Sequence, residues 1–357
     1  MIRDDVLEQG IVRGIVTDRQ AADLRALALE LTAASAPEPE DDEKLRFVTG
    51  FSDVFVTLGI ALFTGALAYL VSQVAGSAAR WAVLTVTAWL LAEFFTRRRR
   101  MALPSIVLLC LFTFSVFKTA DLLFAMMEPG ERKPGFLDLF GIASKSSGFV
   151  TASALITMAM LALHYLRFRV PITIAAGAAA LVTALIGSLF AVFPDMSGKA
   201  LALTVFCAGC AVFALAMRFD LSDPQRVTRR NDIAFWLHLL AAPLIVHPLV
   251  AQFTGDGLMP QVGNAVAVLA LFVLLGAVAV LIDRRAMLVS GLGYAGFALS
   301  SLISQVGLAD RTLPATVLVL GAFVLLLSAG WRPVRTALLR LLPTHLAHRL
   351  PHPILSS

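Results

Sequence analysis

The chain has 357 residues, of which 58% are hydrophobic and only 15% charged, and its mean hydropathy is +0.83. A soluble domain is about half apolar and about a quarter charged. The excess here comes in runs that only a bilayer can house, which excludes a soluble enzyme, a nucleic-acid-binding module and a disulfide-stapled secreted domain. The net charge of +5 lies in short basic clusters between apolar runs. That arrangement suits topology control and contact with anionic lipid head groups rather than a phosphate backbone, so nucleic acid is not an expected partner.

Residues 1–50 are polar and helix-prone. A short helix is expected near Asp4–Gln9, a turn at Gly10, and a second helix over 18–34 opened by Thr17 and Gln20 in capping-box spacing. An acidic linker follows at Glu40 to Glu43. The segment has no apolar h-region, so the first span is expected to serve as the insertion signal. It reads as a cytoplasmic helical hairpin, lying on the bilayer or binding a partner.

Ten apolar runs follow: 53–75, 79–95, 102–126, 148–166, 170–193, 199–218, 233–253, 264–282, 286–305 and 312–331. At about 1.5 Å per residue each is long enough to cross roughly 30 Å of hydrocarbon. With the N-terminus inside, 22 of the 29 Lys and Arg residues fall on inner segments, six on outer ones, and Lys118 within a span. The expectation is therefore an all-α, polytopic integral membrane protein of about ten transmembrane helices with both termini cytoplasmic. Residues 1–50 form one domain, 51–331 the membrane domain, and 332–357 a basic interfacial tail ending its helix near Pro343. The outer loop 127–147 contains a short apolar stretch, Phe136 to Ile142, that is either an ordinary amphipathic turn or a re-entrant element.

Ionisable groups inside spans are costly and mark candidate sites. Asp53 and Glu93 lie near inner ends, where Arg46 and Arg97 can pair with them. Lys118 and Asp121 stand three residues apart on one helix face, as a structural ion pair or as part of a solute or proton pathway. The span at 233–253 carries His238 and His247 on opposite faces, with Pro243 between them. That proline can interrupt the backbone ladder and free carbonyls for a solute. Interhelical hydrogen bonding is the plainer role for both histidines. Arg226, Arg229, Arg230 and Asp232 precede this span and suit a cytoplasmic gate or a lipid contact.

Cys207 and Cys210 are spaced as in redox motifs but sit mid-span, where small apolar packing explains them. Gly291, Gly293, Gly296 and Ser300 give small-residue spacing for close helix approach. No metal-ligand set, cofactor motif or nucleotide loop is visible, so no metal, cofactor or catalytic residue is assigned.

The opening Leu7-Glu8-Gln9-Gly10, then Val16 to Leu24, followed by a ladder of spans, resembles uncharacterised bacterial multi-pass predicted membrane proteins. Those often begin with a short helical Gln-x-x-x-Leu segment. The resemblance implies a cytoplasmic-membrane location and no activity. From the residues themselves a secondary transporter-like solute permease is the first reading. A non-catalytic membrane scaffold or envelope-associated partner protein is the second, and no acid, base and nucleophile converge to suggest an enzyme.

Overall fold

A computed structural model describes residue 9 and residues 11–24, 26, 51–128, 143–144, 146–223, 228–254, 262–305 and 311–341. Helix dominates, and no strand occurs among these residues. The chain divides into two compact units, Met1–Leu45 and Arg46–Ser357.

In the first unit the capping box forms as spaced. Thr17 N–H donates to Gln20 Oε1 at 3.0 Å, and Gln20 N–H returns a bond to Thr17 Oγ1 at 3.3 Å. Helix follows over 18–24. A turn precedes it at Gly14, which adopts a left-handed φ of 67° after helical Ile11 and Val12; the turn expected at Gly10 lies outside the described residues. Of the helix expected over 4–9 only Gln9 is described, and residues 27–34 of the second helix, the acidic linker and the tail beyond 341 lie outside the described residues.

The second unit begins with α1 (Phe51–Ala92), continued by a π-helical turn over Glu93–Arg98. Then come α2 (Ala102–Met127), α3 (Ser147–Phe168), α4 (Ile172–Val192), α5 (Gly198–Leu221) and α6 (Arg229–Thr254). The chain ends with α7 (Val262–Leu281), α8 (Ala286–Gln305), α9 (Thr312–Ala329) and α10 (Trp331–Leu341). Eight of the described helical stretches are long and apolar enough to cross a membrane. The first runs 48 residues, length enough for two crossings, with non-helical backbone at Gly76 (φ 80°, ψ −176°), and α8 coincides with the apolar run at 286–305. These are the ten apolar runs. The protein is an all-α polytopic membrane protein, the form lipid imposes because helices satisfy their own backbone groups.

Neighbouring helices pack most extensively as α1 with α2, α3 with α4, and α5 with α6. Glycine permits the last contact: a Cβ on Gly209 would meet the backbone carbon of Leu244 at 2.9 Å. Of the small residues in α8, Gly291 abuts Phe272 and Gly296 approaches Leu320, whereas nothing faces Gly293 within 4 Å. Two expectations need correction. Cys207 and Cys210 are exposed on the bundle surface and are not interior packers. Pro243 does not break its helix: α6 runs unbroken through Pro243 and Pro248, since a proline removes one N–H while its fixed φ suits the helix.

The tail helix α10 buries Trp331, Arg335 and Leu339 along one face. Trp331 Nε1 donates to Asp283 Oδ1 at 2.7 Å, and the Arg285 guanidinium stands 5.1 Å from the Trp331 ring centroid. The tail is therefore docked on the α7–α8 turn as well as suited to an interface.

Candidate functional site

An aspartate in the last turn of a helix meets the negative end of the backbone dipole, so it needs a cation. Asp220 ends α5, and its cation comes from the α7–α8 turn. Arg284 Nε donates to Asp220 Oδ2 at 3.1 Å, and Arg284 Nη2 donates to Oδ1. The same Nη2 donates to Asn231 Oδ1 of α6 at 2.6 Å. His238 Nε2 meets Asp220 Oδ2 at 2.8 Å. His238 lies nine residues inside α6, about 14 Å from its start, and its side chain leans back toward that end. Asp220, His238 and Arg284 are each no more than 2% exposed.

This network joins three elements at the end of the bundle that the charge bias assigns to the cytoplasm. Apolar side chains close over it: Phe213 stacks edge-on to His238, and Ala216, Leu237 and Ala241 are wholly buried between α5 and α6. Nearby, Asp223 accepts bonds from Thr228 N–H at 2.8 Å and Thr228 Oγ1 at 2.6 Å, tying α5 to the start of α6.

The other sequence candidates are dispersed. His247 is exposed, and its Nδ1 meets Tyr294 Oη of α8 at 2.5 Å. Pro243 is exposed and joins neither histidine's contacts. Lys118 Nζ bonds Asp121 Oδ2 at 3.1 Å, the expected intrahelical pair. Asp121 also accepts from Ala143 N–H (2.7 Å), Ser144 N–H (2.9 Å) and Ser144 Oγ (2.7 Å), which anchors the chain leading into α3. The stretch 129–142, with its candidate re-entrant element, lies outside the described residues.

The residues expected at a cytoplasmic gate or lipid contact lie apart from this network. Arg229 and Arg230 are exposed, Asp232 is half-buried, and Arg226 lies outside the described residues. Asp220 and Arg284 are not among the residues singled out by the sequence. Sequence spacing could not pair them, being 64 residues apart. The available signal was an acidic residue in the final turn of one span and an arginine in a very short turn of the same side.

At the same end Glu93 takes Arg167 through two bonds, at 2.7 and 3.0 Å, and Arg97 at 3.3 Å. Asp53 is buried. A shallow cleft of 590 Å³ lies at the α4–α5 connection, lined by residues such as Phe193, Asp195 and Thr204, and includes neither histidine of α6. Among the described residues no group of three His, Cys, Asp or Glu is placed to hold a metal ion.

No family model, no curated protein and no solved structure matches this chain.

Proposed function

We propose that the chain is a solute permease of the bacterial cytoplasmic membrane, and that Asp220, His238, Arg284 and Asn231 close its cytoplasmic side. One observation carries this reading: three ionisable side chains are wholly buried in a single network linking the α5–α6 hairpin to the α7–α8 turn. Replacing such a network with apolar residues is often neutral or stabilising, so stability alone is a poor reason to keep it. Ionisable groups inside spans more often mark substrate or ion pathways. Bonds between separate elements can be exchanged when those elements move, which packed apolar contacts do less readily. The exposed Arg229 and Arg230 then sit where anionic head groups gather.

Proteoliposomes loaded by incubation with a mixed pool of small polar metabolites test this. Mass spectrometry of their contents should reveal at least one solute enriched over protein-free vesicles, with enrichment lost in Asp220→Ala. Equal contents in all three preparations would remove the permease reading. A membrane scaffold is the second reading, favoured by the engagement of His247 and of the Lys118–Asp121 pair in helix and loop contacts. Co-purification of a defined partner in stoichiometric amount, without solute enrichment, would support it.

A further inference from the structure

The α7–α8 turn is built as a helix stop. Asp283 N–H bonds the Val280 carbonyl at 3.2 Å, and Arg284 N–H reaches back to the Ala279 carbonyl at 2.8 Å, the two bonds that close a Schellman motif. That motif needs a left-handed residue at its corner, a place glycine fills without steric cost. Here Asp283 fills it, with φ 59°. A side chain kept where its own Cβ is crowded points to a use for that side chain.

The use lies on α10. Asp283 Oδ1 accepts from Trp331 Nε1 at 2.7 Å, and the Arg285 guanidinium stands 5.1 Å from the centroid of the same indole. Between these two residues Arg284 turns the other way, to Asp220 and Asn231. Three successive side chains thus join α10 to the buried network. Only Gly330 separates α9 from α10, so Trp331 stands at the end of a crossing, the usual level of an interfacial tryptophan anchor. Its 5% exposure sets it under protein instead of among head groups. Arg335 and Leu339, four and eight residues on, continue the same buried face, and α10 packs on α7.

We propose that α10 is a latch on the Asp220 network, with Trp331 and Asp283 as positioning residues that fix the turn and so hold Arg284 on Asp220. A guanidinium meets a carboxylate through two bonds only over a narrow range of positions, so the corner that carries Arg284 must be fixed. Trp331 fixes it from one side through Asp283 and Arg285. Release of α10 frees the corner, and Arg284 leaves the carboxylate. The latch deepens the gate reading of the same network and rests on it for its part in transport.

The test is a set of double-mutant cycles on the full chain, read by thermal unfolding in detergent. Trp331→Phe removes the indole donor and keeps a ring beside Arg285. If the latch sets Arg284, Asp220→Ala has less to lose in the Trp331→Phe chain, and its drop in unfolding midpoint should be about half the parental drop or smaller. Asp283→Gly deletes the accepting side chain and suits the left-handed corner. It should give the same shortfall, and it carries the test if Trp331→Phe fails to fold. Asp283→Asn keeps an oxygen for Trp331 and should restore most of the drop. His247→Gln, directed at Tyr294, should leave the drop at its parental size. An anchor without influence on Arg284 would simply add its loss to that of Asp220→Ala, and such additivity in either folded latch variant would overturn the proposal. Solute enrichment is a separate readout. Its absence with the coupling intact would remove the permease reading and leave the hold of Trp331 on Arg284 standing.

Discussion

Removing one member of a buried ion network leaves the others charged and desolvated, which costs about 3–5 kcal/mol. Asp220 has two such dependants, Arg284 and His238. Asp220→Ala is therefore expected to destabilise by that amount, and Asp220→Asn by less, since the amide oxygen still accepts from Arg284. A double-mutant cycle of Asp220→Ala with Arg284→Met, read by thermal unfolding in detergent, should show strong coupling; additive losses would mean the pair is energetically idle. Part of this chemistry was legible beforehand. His238 stood out as an imidazole in an apolar span, and Lys118 and Asp121 as an i, i+3 pair. The partners of His238 and Asp121 were not, because Asp220, Arg284 and Ser144 reach them only through tertiary packing. Arg229 and Arg230 attracted attention by adjacency and turn out to face outward.

At the level of elements, the apolar runs read from hydropathy fall on described helices, and the 76–78 gap between the first two runs falls on a real break. The chain makes that break without a loop. Gly76 takes φ 80° with ψ −176°, a region essentially closed to other residues, although open space surrounds it. Gly76→Ala should accordingly cost about 1–3 kcal/mol through backbone strain and not through a clash. Thermal unfolding would register this, whereas an unchanged midpoint would show that the limbs can adopt another junction. Pro243 teaches the opposite lesson. Its residue type suggested an interruption, but α6 tolerates one lost donor inside a packed bundle.

For the whole molecule, composition and the asymmetry of basic residues specify an all-α ladder of membrane helices, because lipid leaves few alternatives. What they do not specify is which helices touch, so the meeting of α5, α6 and the α7–α8 turn at one ion network emerged only in three dimensions. That network, read as a closed cytoplasmic gate, is the central claim. The most direct measurement is the reactivity of a single cysteine at Ala241, wholly buried about one turn beyond His238, toward an impermeant thiol reagent. The chain would lack Cys110, Cys207 and Cys210 and sit in inside-out vesicles, with Arg98→Cys as a reactive control and Asp195→Cys as a protected one. Ala241→Cys should be nearly inert in the otherwise parental chain. Adding Arg284→Gln should raise its rate about tenfold, the response to roughly 1.4 kcal/mol of shift in the closed–open balance, measured on the folded fraction. A rate that stays at the parental level in folded protein would contradict the gate.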